Sequence, residues 1–180
     1  DGAITPFTKY NMEPADFAVS TDEEEAKIIN FMYGFAYDAD SSTDPTAARN
    51  WALGDIIHSE PLVIDYVDNS YTRSLTDRYI AIGSNHGILH VFDTVDGTEL
   101  FGFIPPALLT SLKQYNDPTD HAYGVDGQIS KFQTGRNPKY MVFGLRRGGN
   151  AYYAVDVSNS SVTNWDLGWS ITNSGDFSEL

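Results

Sequence analysis

Cysteine is absent from the 180 residues, which excludes disulfides, thiolate zinc sites and c-type haem attachment. Basic residues are scarce: 11 Lys plus Arg stand against 25 Asp plus Glu, a formal charge of −14. Residues 1–60 carry 3 basic and 12 acidic side chains, whereas residues 121–180 carry 5 of each. An acidic front opposes nucleic acid binding, which needs a basic footprint to displace counterions. It equally opposes docking on an anionic membrane; its ordinary meaning is solubility and self-repulsion. No apolar run approaches the ~20 residues that span a bilayer, so no membrane insertion is expected, and no signal peptide opens the chain. From its abrupt start and stop, a mature or excised segment of something longer is expected.

What the chain does have is a composition suited to strands and turns. Apolar residues make up 41%, with 11 Tyr, 10 Phe and 15 Gly, enough for a core and weighted towards β structure. Residues 1–49 read as a lead-in with a helix over about 22–33. Thr21 and Glu24 have the spacing of a capping box, Glu23 to Glu25 suit the positive helix end, and Ala26, Ile29, Met32 and Tyr33 form an apolar stripe ended by Gly34. Residues 50–180 read as short strands between turns. Extended segments are expected at Ile56–Ile57, Pro61–Tyr66, Tyr79–Gly83, Ile88–Asp93, Glu99–Ile104, Gln128–Gln133, Tyr140–Gly144, Ala151–Val157 and Trp165–Thr172. Polar connections are expected over Asp68–Arg78 and turns at Val95–Gly97, Arg136–Pro138, Arg147–Asn150 and Ser158–Ser161, with a short helix inserted after Pro105 and Pro106.

Two of these blocks repeat: YIAIGSNHGILHVFDTVDGTELFGF and YMVFGLRRGGNAYYAVDVSNSSVTNWDLGWSI. Each opens with an apolar strand ending in Gly (Gly83, Gly144, 61 residues apart), continues to an Asp (Asp93, Asp156) and closes on an aromatic strand. Repetition of one small antiparallel sheet is the pattern of a propeller, because a lone sheet cannot cover both its faces and stacking supplies the cover. The expected fold is therefore mainly β, a partial β-propeller of about two antiparallel blades. At least about four blades close a ring, so the remaining blades must come from the same or a separate chain. The two aspartates are expected to accept backbone N–H groups in the turns that follow them.

The segments ALGDIIHSEPLVI (52–64), IAIGSNHGILHVFDTVDGTELFGFIPPALL (80–109), HAYGVDG (121–127) and GGNAYYAVDVSN (148–159) resemble the start of the C-terminal propeller of PilC/PilY-type type IV pilus tip-associated adhesins and assembly factors. The first repeat also resembles the wider quinoprotein-type propeller repeat. The resemblance covers about residues 50–160. It implies a non-catalytic module that supports pilus biogenesis and surface adhesion at the cell surface or pilus tip of a Gram-negative-type bacterium. The partners it implies are the remaining propeller blades, minor pilins and a host or abiotic surface. It leaves calcium control open in the full-length protein and gives no support for it in this segment. The Asp-x-Asp-x-Asp-Gly loop that several family members carry is not found in this sequence, and no cofactor is expected in this segment.

The nearest approach to a metal loop is Asp38, Asp40, Ser42 and Asp44, whose alternating oxygens suit calcium but lack the turn Gly and terminal Glu. His58, His86, His90 and His121 form no His-Glu-x-x-His pair and are expected in structural or surface roles. Ser59 with Glu60, and His121 with Asp126, lack a nucleophile elbow. RRGGN (146–150), with Arg146 and Arg147, reads as a hairpin turn rather than a phosphate loop. Two alternatives stay open. One is a quinone-cofactor dehydrogenase fragment, which would need acidic, amide and basic ligands from several blades. The other is a carbohydrate-binding propeller, which would use Tyr152, Trp165 and Trp169 as stacking faces.

Overall fold

Thr21 starts an α-helix by accepting the Glu24 N–H at 3.2 Å, while the Glu24 carboxylate takes the N–H of Ser20 and the hydroxyl of Thr21. The computed structural model describes residues 3–37, 47–67, 73–116, 119 and 121–172. Helix α1 (Asp22–Met32) ends where Gly34 takes a left-handed φ of 94°. Its buried face is Glu25, Ile28, Ile29, Phe31 and Met32. The stripe expected from sequence is therefore rotated: Tyr33 is 60% exposed, and its hydroxyl donates to the Phe7 carbonyl at 2.6 Å. The lead-in folds back over the helix and recruits the tyrosine as a clasp.

Among the described residues eight strands follow: β1 (Leu62–Val67), β2 (Arg73–Gly83), β3 (Leu89–Asp93), β4 (Glu99–Phe103), β5 (Ile129–Thr134), β6 (Asn137–Gly144), β7 (Ala151–Asp156) and β8 (Asp166–Thr172). They form two four-stranded sheets, ordered β1-β2-β3-β4 and β5-β6-β7-β8, every neighbouring pair antiparallel. This is the up-and-down meander of a propeller blade, present twice and not closed into a ring. The repeat is complete at the level of register. Tyr79 stands opposite Asp93, and Tyr140 opposite Asp156. Asp93 accepts the Val95 N–H at 2.6 Å and Asp156 the Ser158 N–H at 2.9 Å, the turn role expected of both.

Four expectations need correction. Ile56–Ile57 is not a strand; Ile57 is 51% exposed in a bend before the first sheet. Arg73–Arg78 is not a polar connection but the first half of β2, paired back to β1 from Val67–Arg73 onward, because the ladder needs backbone groups rather than apolar side chains. The turn between β5 and β6 lies at Gly135–Arg136, and Asn137 already pairs with Thr134. The inserted helix is a 3₁₀ helix over Pro106–Asn116, with Leu108, Leu112 and Tyr115 buried.

The main core lies between the sheets and takes Ile64, Tyr66, Tyr79, Ala81, Leu89, Val91 and Phe103 from the first, and Ile129, Met141, Phe143, Tyr153 and Val155 from the second. A satellite core joins Phe17, Ile28, Ile29, Phe31 and Met32 to Leu112 and Tyr115, so helix α1 packs on the inserted 3₁₀ helix. The segment 121–128 threads between the two sheets' ends at very close range. A Cβ on Gly127 would collide with the Gly144 carbonyl, and one on Gly148 with the Gly124 carbonyl. Among the described residues no helix is long and apolar enough to cross a membrane.

Candidate functional site

Two surfaces gather chemistry: the loop end of the sheets and the outward face of the second sheet. At the loop end, the approach to β1 (residues 49–60), the β2–β3 turn, the 121–127 segment and the β6–β7 turn meet. Asp126 is 1% exposed, and three hydrogen bonds hold its carboxylate. His58 Nδ1–H reaches Oδ1 at 3.0 Å and Oδ2 at 2.9 Å, and Arg146 Nη1 donates to Oδ2 at 3.2 Å. Arg146 sits in a left-handed conformation, φ 53°, a strain that its ion pair to a buried carboxylate offsets. Arg147 donates to the Tyr123 hydroxyl at 2.9 Å and lies over the same ring.

A second network lies beside the first. Asp55 accepts from His121 Nε2–H at 2.8 Å and from Asn85 Nδ2 at 3.2 Å. Burial works to raise the Asp55 carboxyl, but these two bonds and the charge on His121 outweigh it and the pKa falls. The bond to Asp55 raises His121 in turn. His86 behaves oppositely. Its ring lies between those of Phe31 and Tyr115, and Arg49 Nη1 donates to its Nδ1 at 3.2 Å. Burial first, then the Arg49 charge, lowers it to about 4. His86 is therefore neutral at pH 7 with its proton on Nε2.

The sequence-derived candidates sort as follows. Asp38, Asp40, Ser42 and Asp44 lie outside the described residues. His121 does not pair with Asp126; the chain instead joins His58 to Asp126 and His121 to Asp55, pairings that only the threading of residues 121–127 creates. Ser59 gives its oxygen to the Gly83 N–H at 2.9 Å rather than to an imidazole. His90 is buried on β3, donating from Nδ1 to Glu99 at 2.6 Å with Nε2 3.0 Å from Ser84 Oγ. Among the described residues no three His, Asp or Glu side chains gather closely enough to hold a metal ion. Chemically, the loop end is a set of charge-assisted clasps that tie four loops to one another.

The outward face of the second sheet is the other surface. Cross-strand partners share a face, and the register places Phe132 with Tyr140, Val142 with Ala154 and Trp169, and Gly144 with Tyr152 and Ile171 on the side away from the core. Phe132, Tyr152 and Trp169 are 53%, 46% and 39% exposed. Phe132 stacks on Tyr140 with ring centroids 6.4 Å apart. The rings of Tyr152 and Tyr140 lie over Gly144 and Gly168, where a Cβ would come within 2.7 and 2.6 Å of a ring carbon. These glycines let the aromatics lie flat and form a continuous apolar surface. Trp165 is not part of it. It is 4% exposed, and its indole N–H donates to the Asn159 carbonyl at 2.8 Å. Sequence reasoning named Tyr152 and Trp169 as stacking faces only under the carbohydrate alternative and missed Phe132, whose place two residues after Ser130 on β5, on the face opposite Ile129, carried the signal.

No family model matches the chain. It is 28% identical over 180 residues to a type IV pilus biogenesis factor PilY1 homolog of Xylella fastidiosa, covering 88% of this chain and 14% of that protein. It is 25% identical over 213 residues to the type IV pilus biogenesis factor PilY1 of Pseudomonas aeruginosa, covering 94% of this chain and 18% of that protein. The crystal structure of the Pseudomonas aeruginosa PilY1 C-terminal domain is 31% identical over 53% of this chain and 19% of that one, with a TM-score of 0.37. The chain thus spans less than a fifth of the length of these relatives.

Proposed function

We propose that this chain, a homologue of a segment of the PilY1-type pilus biogenesis factors, serves pilus biogenesis as two blades of a larger β-propeller that binds and docks rather than catalyses. The observation that carries this reading is the aromatic outward face of the second sheet. A four-stranded sheet with Phe132, Tyr152 and Trp169 each more than a third exposed has one face buried and one face suited to burial. A further meander of the same repeat, supplied by the rest of the protein, fits that face in the way the second sheet fits the first.

The titratable groups support docking over turnover. His58, His90 and His121 each commit a ring nitrogen to a carboxylate, and Ser59 is engaged by backbone. What remains for function is surface: the aromatic face for further blades and the acidic exterior for partners at the pilus. Minor pilins, a host cell or an abiotic surface are the partners this reading expects, outside the cell. Calcium control of the longer protein belongs to the same reading.

The test is a pilus assay. Tyr152→Ser with Trp169→Ser in the full-length protein is expected to remove the protein from pilus preparations and reduce surface piliation, while the isolated chain carrying both changes stays folded. Normal piliation with both substitutions contradicts the docking role of this face. Because Tyr152 and Trp169 also suit sugar stacking, a glycan array on the isolated chain separates the two occupants; specific glycan binding abolished by the same changes would replace a blade with a carbohydrate.

A further inference from the structure

Strand β4 ends the first sheet and pairs with β3 on one side only. On its other side no described residue hydrogen-bonds the backbone from Glu99 to Phe103. Alternate N–H and C=O groups along that edge are therefore left without protein partners. A cavity of about 740 Å³ runs along it, within the range that holds ligands. Phe101 and Phe103 turn to the core with Val91 and Leu89, and Gly102 turns outward with His90. A cavity on one face of a strand is lined by every second residue. This one is lined by every residue from Glu99 to Ile104, so it wraps the backbone edge. Its opposite wall is the lead-in, residues 3–7, again without omission. That stretch forms no ladder with β4; Ile4 pins it to the main core and Phe7 to the satellite core. Met12, Met32, Ile88 and Leu109 complete an apolar lining.

An unpaired edge beside an apolar slot suits a strand, because an extended backbone meets those groups while its alternate side chains fill the slot. β4 carries neither Lys nor Pro, two common guards of an exposed edge. Gly102 leaves the slot open beside His90: a Cβ there would meet nothing nearer than Glu99 Oε1 at 3.4 Å. Among the described residues Glu99 supplies the one carboxylate of the lining. Its Oε1 takes His90 Nδ1–H at 2.6 Å, and no described residue takes its other oxygen. We propose that β4 receives an extended, alternately apolar segment of a separate partner protein as a fifth strand, with a lysine or arginine of that segment on Glu99. A second copy of this chain suits the site poorly, since a formal charge of −14 brings acid to acid. The site lies at the outer edge of the first sheet and stands independently of the aromatic face of the second.

The test uses a fluorescent peptide of alternating valine and threonine, about six residues long and ending in arginine. Anisotropy against the chain measures binding, and hydrogen exchange read by mass spectrometry locates it. Saturable binding is expected, with slowed exchange of the β4 amides. N-methylation of every peptide amide keeps the side chains, removes the donors and is expected to weaken binding more than about tenfold. Glu99→Gln keeps an acceptor for His90 and is expected to weaken it about fivefold. Glu60→Gln, which removes an exposed charge elsewhere, is expected to change it less than about 1.5-fold. Gly102→Val narrows the slot and is expected to weaken binding about tenfold, with the melting temperature kept or raised. No saturable binding overturns the proposal, as does slowed exchange confined to other strands. Equal binding of the N-methylated peptide makes the slot a site for apolar side chains and overturns strand addition. Binding to the isolated chain but not to the full-length protein puts a segment of the protein itself on β4 and overturns the separate partner.

Discussion

Tyr66, in the first sheet, donates its hydroxyl to the carbonyl of Val157, just past the end of β7 in the second, at 2.7 Å and in a fully buried position. The same hydroxyl lies 3.0 Å from the Asn159 carbonyl, and Tyr79 reaches the Ser160 carbonyl at 2.7 Å. Two tyrosines of one sheet therefore satisfy the backbone of the turn that leads into the last strand of the other. Burial raises the Tyr66 phenol further above its ordinary pKa, so it remains a donor throughout the working range. The sheets share these bonds as well as their core, and one cooperative unfolding transition follows. Tyr66→Phe strands buried carbonyl oxygen and is expected to cost about 1–2 kcal/mol, a fall of roughly 4 °C in melting temperature by calorimetry, with the single transition kept. Two separated transitions in the unmodified chain would show that the sheets fold independently.

The glycines at the loop end make a second expectation. Gly127 faces the Gly144 carbonyl with no room for a methyl group, whereas a Cβ at Gly102 would lie 3.4 Å from the Glu99 carboxylate, an ordinary contact. Gly127→Ala should cost roughly 1–3 kcal/mol as forced overpacking. Gly102→Ala should stay within about 0.5 kcal/mol. Urea unfolding of the two variants measures both, and equal losses would dissolve the distinction.

His86 sets a pH dependence. The groups that face it are the charges of Arg49, Asp55, His90 and His121 and the rings of Phe31 and Tyr115. Its folded pKa of about 4 lies below the ordinary 6.5, so the unfolded chain takes up its proton first. Stability that is complete above about pH 6.5 is then lost progressively as pH falls towards 4. With a discount for its solvent-facing edge, the loss is on the order of 2 kcal/mol. His86→Gln keeps an acceptor for Arg49 and removes the titration, and its melting temperature should fall less between pH 6.5 and 4. The exposed pair His121 and Asp55 acts at other pH values. The raised pKa of His121 adds stability below about pH 6.5 that disappears as pH rises through its folded value, and the lowered pKa of Asp55 adds stability above about pH 3.8 that disappears in acid.

The strands were legible because their apolar runs end at Gly, Pro and Asn in a repeated order: Gly83 and Gly144 close β2 and β6, and Asp93 and Asp156 cap the turns beyond β3 and β7. The first half of β2 was not legible, because the sequence of Arg73–Arg78 has no apolar alternation to mark a strand, while its backbone continues the ladder to β1. The helix was legible from its cap, but its buried face was not. Which side of α1 turns inward depends on the inserted 3₁₀ helix, Leu112 and Tyr115, eighty or more residues away in the chain. The same holds for the clasps. Asp126 and His121 are neighbours in sequence, yet they serve His58 and Asp55 respectively because the 121–127 segment passes between two turns. Tyr152 and Trp169 could be selected as exposed aromatics from strand alternation. Trp165 could not be told apart from them, because it precedes β8 and turns into the core.

The exposed face predicts a particular pattern of mutational cost. Tyr152 lies over Gly144 and Trp169 stands opposite Ala154, both partly open to solvent. Each change to Ser in the isolated chain should therefore cost less than about 1.5 kcal/mol, below the 3–5 kcal/mol range of a fully buried aromatic. Phe143→Ala, at a residue 1% exposed in the main core, should cost about 3–5 kcal/mol. Thermal denaturation of the three variants measures the contrast, and a Trp169→Ser loss equal to that of Phe143→Ala would place the outward face in a core of its own.

Hydroxyl-radical footprinting of Trp169 and Tyr152, read by peptide mass spectrometry in the isolated chain and in the full-length protein, tests the docking of this face most directly. The account predicts strong oxidation of both residues in the isolated chain and near-background oxidation in the full-length protein, where a further sheet covers them. Equal oxidation in the two would mean that the face stays open, and the reading of this chain as two blades within a larger ring would be contradicted.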